Sequence, residues 1–478
     1  MRPVLLLVSD HILRVDDNIS LLAACSTGNP VIPVYIHGDS PAGIYAPGTA
    51  SQMWRYRSVL ALKQAYRSRG SDLLIMKGDP CEILPVLIGE TLACGVYMDT
   101  GVEPWRQRLA AKVRALCHQL SLKCTISMQQ TLLPVAKVKG KAGEPCRTFD
   151  AFSRYYETRC KEDSPQVAPA IIARPEVWPV SLPVEVIRPP SAEGGPVQTL
   201  WQPGEKGAHK RLGELTRRLC APSAQVYSSK QNYTISKLSA PLHFGELSMR
   251  QLFDRIEYLK SRNPATSSII EPLMRDLLWR DFSYYQLYHH PDLPTKPLRE
   301  SFENFPWHTG PSENFERWTL GQTGYPIVDA GMRQLLKTGW MPACIRIIVA
   351  SFLVKNLMID WRMGARWFWD AAVDADMACN SMNWQTIAGC GVENNSFSVL
   401  HPVEQSEIFN PDGAYIVEYV PELSRLPASH IHNPGVAPVA ILEKAGVELG
   451  SSYPAPIVDF GLSCQIAQEA FDQIAVRQ

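Results

Sequence analysis

Six tryptophans, Trp318, Trp340, Trp361, Trp367, Trp369 and Trp384, crowd into 67 residues of a chain that has twelve in all. Each alone is ordinary core packing, because an indole buries a large apolar area. Their density invites a second reading. The twelve cysteines offer less: no C-x-x-C pair occurs, so reduced thiols are expected and structural zinc is not. Cys344 could act as a nucleophile, but no histidine or lysine lies beside it to lower its pKa, and an inert buried thiol is the expectation. The turn after the first apolar run, Asp10 to Asp16, carries no glycine-rich fingerprint, so a dinucleotide site there has no support.

The elements that must position these residues fall into two textures. Through residue 135, short apolar runs at Val4–Val8, Val31–Ile36, Leu73–Met76, Val96–Met98 and Cys124–Ser127 alternate with amphipathic stretches such as Ser51–Arg69 and Trp105–Leu120. That alternation predicts an α/β domain over 1–135, a Rossmann-like parallel sheet covered by helices. Nine prolines then fall between Ser164 and Gly204, which predicts a long proline-rich connection over 136–204. From 205 to 478 helical periodicity dominates, as in Ile345–Met358 and Trp367–Val373, and predicts a large all-α domain.

Composition bounds the function. Lys+Arg and Asp+Glu are equal at 47, which excludes the strongly basic nucleic-acid binders but leaves room for a local basic groove. The apolar start is too short for a secretory signal, and Lys355 and Asp360 interrupt the most hydrophobic stretch. A cytoplasmic protein with no membrane partner is expected.

The run Trp318 to Leu335 closely resembles the signature of the cryptochrome/photolyase family. Gly339–Met341, Val349–Lys355, Ile359–Arg362, Val373–Asp376 and Asn383–Gln385 continue it in the same order. The segments Lys444–Gly450 and Tyr453–Asp459 look most like the class III photolyases, relatives of plant cryptochromes. The resemblance implies FAD in the helical domain. Ser236, Leu238 and Ser239 match the segment that holds the diphosphate, although Ile235 replaces a usual threonine, and Tyr227 stands for a phosphate-contacting tyrosine. Trp279 and Arg280 match the pair beside the flavin, and Trp340 a pocket-lining tryptophan. Arg346 and Asp374 match the ion pair next to the isoalloxazine, Asp376 the carboxylate near flavin N3 and the ribose, and Asn380 the residue facing N5. Trp384 and Trp361 fall on the family's electron-transfer chain, with Trp307 the candidate for its outer member.

The same comparison shows departures on the side that would hold damaged DNA. Asp276 stands where the repair enzymes have a glutamate, three residues before Trp279. Ala343 and Cys344 replace an asparagine and an arginine, Ile347 a methionine, and Thr386 a tryptophan. Asp276 and Trp279 are the candidate catalytic positions. Pro342 and Ala343 leave no histidine for (6-4) chemistry. DNA is thus a weakened partner, and the resemblance implies a blue-light photoreceptor with an unidentified signalling partner. The rivals are a divergent cyclobutane-dimer photolyase and a light-independent flavoenzyme using the emptied pocket. Asn380 is photolyase-like, since plant cryptochromes carry an aspartate there. An antenna chromophore, folate or deazaflavin, has no support: Trp54 matches one aromatic of that region, and a lone aromatic on a helix is ordinary core.

Overall fold

Val4–Val8 is buried along its whole length, as a strand covered on both faces must be, and this explains its unbroken apolar run. In the computed structural model, which describes residues 1–38, 46–140, 143–159, 164–189, 200–220, 236–262, 267–392 and 397–475, this is strand β1 at the centre of a five-stranded sheet. The others are β2 (Val31–His37), β3 (Leu74–Lys77), β4 (Gly95–Asp99) and β5 (Lys123–Ser127), in the order β3-β2-β1-β4-β5. All four pairings are parallel, with Leu6 opposite both Pro33 and Tyr97. The five expected strands match within a residue or so at each end.

Helices α1 (Ile19–Cys25), α2 (Thr49–Arg67), α3 (Pro80–Thr91) and α4 (Pro104–Gln119) lie between the strands. Asn18 caps α1 through Leu21 N–H and Asp79 caps α3 through Cys81 N–H, each satisfying a donor the helix leaves unpaired. Leu5, Ile32, Val34, Leu74 and Val96 form the heart of one core with Leu84, Ala110 and Val113 from the helices.

The proline-rich connection is not a free tether. Val31 N–H donates to Ala173 O, Ile172 N–H to Arg69 O, and Leu182 N–H to Ile75 O, while Ser181 Oγ accepts from Ile75 N–H. Its described part is thereby stitched to β2, to the end of α2 and to the outer edge of β3.

Two compact units emerge among the described residues, one of residues 1–220, 236–291 and 373–378 and one of 292–372 and 379–475. Beside the sheet, the first contains α5 (Phe149–Arg159) and the helices Glu205–Leu219, Ser239–His243, Met249–Arg262 and Ser267–His289. Phe152 packs on Tyr156, Phe282 and Tyr285 in its helical part.

The second unit is helical. Pro326–Thr338 ends on Gly339 in the left-handed region at φ 70, where glycine carries no penalty. Ala343–Ser351 runs into a π turn, Phe352–Asn356, and Asp360 caps Trp361–Ala371 through Arg362 N–H. Buried Asp329 ties the unit together by accepting from Thr323 N–H, Gly324 N–H and the Tyr453 hydroxyl. Lys355, the charge that interrupts the apolar run, is buried in the π turn. Burial draws its amine down to about 8, and its ammonium donates to Ser398 O.

The eleven described cysteines form no disulfide. No described helix is long and apolar enough to cross a membrane.

Candidate functional site

The order of the sheet reverses between β1 and β4, and in open parallel sheets that crevice is where nucleotides usually bind. Here side chains fill it. Arg106 donates to Asp99 (3.0 Å) and to Glu103 (3.4 Å), and all three are buried. A Cβ on Gly101 would run into Glu103, Arg106 and Gln130. Burial pushes the Asp99 acid up to about 6 against the pull of Arg106. Burial would raise Glu103 as well, but Arg106 beside it holds that acid below its ordinary value. The turn from β4 into α4 is thus built as an internal ion cluster.

From this cluster a chain of polar side chains runs through the first unit. His11 Nε2 lies 3.7 Å from Glu103, and its Nδ1–H donates to His243 O at 3.0 Å. His243 Nδ1–H donates to Asp376 Oδ2 at 3.1 Å. The Tyr284 hydroxyl donates to the same oxygen in a short bond and accepts from Arg280, which also donates to Gln130 O. Asp376 and Arg280, two of the expected flavin residues, are therefore joined through Tyr284. His243, His11 and Tyr284 escaped the sequence reading. Nothing in a linear sequence marks residues 232 apart as neighbours.

Trp279 is half-buried on the Ser267–His289 helix with its ring 5.2 Å from Phe149 and 5.7 Å from Phe282. Asp276 stands exposed one turn earlier. Protein crowding its carboxylate still pushes the acid up to about 6, opposed by Arg275. Leu238 is buried, Ser236 half-buried and Ser239 exposed, at the start of the five-residue helix that ends on His243. Asp374 is buried in the same unit. Tyr227 lies outside the described residues.

In the second unit Trp384 and Trp361 are both buried. Trp384 meets Phe368 at 5.4 Å and Trp318 at 6.4 Å, and Trp318 meets Trp367 at 5.6 Å, so part of the tryptophan crowd is one packed aromatic cluster. Arg362 lies over the Trp361 ring. Trp307 is half-buried, 4.2 Å from Phe305, and its indole N–H is buried without a partner among the described residues. Trp340 is buried, Arg346 donates to Met341 O, and Asn380 spends one amide hydrogen on Ala365 O.

On the Ala343–Ser351 helix, Ala343 and Ile347 are exposed one turn apart, and Cys344 between them is partly covered. Burial pushes the Cys344 thiol up to about 11, the inert thiol the sequence suggested. Thr386 turns its hydroxyl back onto Met382 O.

The donor chemistry suits a flavin dinucleotide: hydroxyls leading into a short helix for a diphosphate, and a carboxylate held by two donors for an imide N–H. The family model for the FAD binding domain of DNA photolyase matches residues 273–473, and that for DNA photolyase matches residues 5–170. The deoxyribodipyrimidine photo-lyase of Agrobacterium fabrum is 37% identical over 96% of this chain and 95% of its own length. The chain belongs to the DNA photolyase and cryptochrome family. Cryptochrome-2 of Arabidopsis thaliana is 31% identical over 96% of this chain and 77% of its own. A bacterial class III photolyase structure from Agrobacterium tumefaciens superposes with a TM-score of 0.92 at 36% identity, covering 99% of this chain and 98% of that one. FAD is the cofactor of this family's helical domain, and the parallel-sheet and helical parts match the architecture of photolyase structures.

Proposed function

We propose that this photolyase-family chain is a blue-light-responsive, cryptochrome-like flavoprotein whose lesion-facing surface no longer serves repair. The carrying observation is that Ala343 and Ile347, exposed one turn apart, present only apolar side chains, beside a thiol kept neutral at the position where the resemblance expects an arginine. A flipped dimer needs hydrogen-bonding groups at its edges and stacking partners.

In this reading FAD, when bound, supplies the blue-light absorption and a one-electron acceptor. Tyr227, Ser236, Leu238 and Ser239 hold its diphosphate. Asp376 accepts from its imide edge, while Trp279, Arg280 and Trp340 line its pocket. Arg346, Asp374 and Asn380 surround the ring system. Trp384 is the inner electron donor, Trp361 refills it, and Trp307 passes the hole outward. An indole serves because it can be oxidised transiently and restored.

A second reading, a divergent photolyase, is favoured by Asp276, which keeps a carboxylate three residues before Trp279 on an exposed helix face, and by the similarity to the Agrobacterium enzyme. DNA would then be the substrate. One experiment separates the two. Purified protein is scanned for flavin absorbance, illuminated with reductant, and incubated in light with an oligonucleotide carrying a cyclobutane dimer. Photoreduction without repair is expected, and efficient light-dependent repair would sink the photoreceptor reading.

A further inference from the structure

We propose that His243 is a positioning residue for the Asp376 carboxylate, and that the ion cluster filling the crevice between β1 and β4 is its foundation. This rests on the reading of Asp376 as a residue that meets the FAD.

A carboxylate oxygen can only accept, so the 3.1 Å contact puts the proton of His243 on Nδ1. Tyr284, whose oxygen already accepts from Arg280, must give its own proton to the same Oδ2. Two donors converging on one oxygen from different sides fix the plane of the carboxylate. Asp376 thus presents itself in one orientation, set by His243 on one side and by Tyr284 and Arg280 on the other.

The histidine is in turn held from behind. His11 packs edge-on against its ring, with centroids 4.9 Å apart and planes at 87°. Burial draws His11 down to about 4, so it is neutral with a single ring proton, and its Nδ1–H donates to the carbonyl of His243. The backbone repeats the attachment: Leu13 N–H donates to Phe244 O, and Arg14 donates to Gly245 O at 2.9 Å. Gly245 sits at φ +60, and a Cβ there would overlap the carbonyl of His11. The two segments approach as closely as backbones can, and only glycine allows it. The turn after β1, Ser9 to Arg14, is therefore the seat of His243. The groups facing the His243–Asp376 pair are His11, Glu103 and Arg106 from the sheet side, and Tyr284 and Arg280 from the Ser267–His289 helix.

The test replaces His243 by two amides of equal charge. H243N places an amide nitrogen where Nδ1 stands, whereas H243Q places it where Nε2 stands. FAD uptake by stripped protein is followed by flavin fluorescence, and the midpoint potential of the reloaded protein is measured. H243N should retain native affinity and potential. H243Q should lose about tenfold or more in affinity, the worth of one hydrogen bond to a charged group, and shift the potential. Equal affinities and potentials in native, H243N and H243Q proteins would overturn the proposal and leave the FAD reading intact. A native chain that takes up no FAD would overturn both. Should H243Q lose its cooperative melt, H11A takes its place, removing only the backing. Weaker uptake with a cooperative melt then supports the proposal, and unchanged uptake overturns it.

Discussion

The indole of Trp384 lies in a notch that Gly364 leaves in the Trp361–Ala371 helix. A Cβ at position 364 would stand 2.6 Å from both Cζ3 of Trp384 and Cδ2 of Leu353. Gly364 is one turn beyond Trp361 on that helix. G364A is expected to destabilise the protein by about 1–3 kcal/mol through overpacking. Because it displaces Trp384, it should also slow flavin photoreduction. Thermal melts and blue-light bleaching of the same sample check both.

The tryptophans themselves can be removed with little loss of packing. W384F should abolish photoreduction and W361F should slow it strongly, with flavin content unchanged. Phenylalanine fills most of the indole's volume but is far harder to oxidise. Transient absorption after a laser flash distinguishes these variants from ones that merely lose flavin, and native kinetics in W384F would exclude the proposed path.

Glu246 makes stability depend on pH. Its Oε1 accepts from Trp54, from Gly204 N–H and, in a short bond, from Ser58, while Oε2 is buried without a partner among the described residues. Burial raises the acid from 4.5 to about 7. The folded state therefore holds a proton that the unfolded chain gives up. The stability this contributes is complete below pH 4.5 and is lost as the pH rises through 7, by about 3 kcal/mol in all. E246Q keeps the acceptor and removes the titration. It should be more stable than the native protein at pH 8 and equal to it near pH 4, as denaturant melts at the two pH values would reveal.

Restoring the family's polar pair tests the photoreceptor reading directly. A343N with C344R on the exposed start of the Ala343–Ser351 helix should strengthen binding of dimer-containing DNA by about tenfold, from an added cation and an edge-recognising amide. The salt dependence should steepen by about one phosphate contact. Binding isotherms at several salt concentrations would show this, and no gain would mean that the pocket has changed beyond these two positions.

How much of this was legible in the sequence depends on the range of the interaction. β1, β2 and β4 were readable because parallel strands buried on both faces leave continuous apolar runs, and the less buried edge strands β3 and β5 because short apolar runs recur between the helical stretches. Helix α1 is only seven residues long and α3 carries Pro85 inside it, so neither shows clean periodicity. The residues proposed to meet the flavin are named through their resemblance to a family, position by position. Their supports are not. His243 and His11 meet across 232 residues, and the notch at Gly364 is a missing atom that only packing reveals. The bonds that the described part of the proline-rich stretch makes to β2 and β3 depend on partners about a hundred residues away or more.

Those last bonds bear on solubility. An unpaired strand edge is a template on which another chain can lay a strand of its own. Ser181 and Leu182 occupy Ile75 on the outer side of β3, so that border of the sheet is already taken. The opposite border, β5, opens with the exposed ammonium of Lys123, a charge that discourages a stranger's backbone from docking. Loosening the proline-rich segment would therefore show itself first as aggregation, before the sheet's own core gave way.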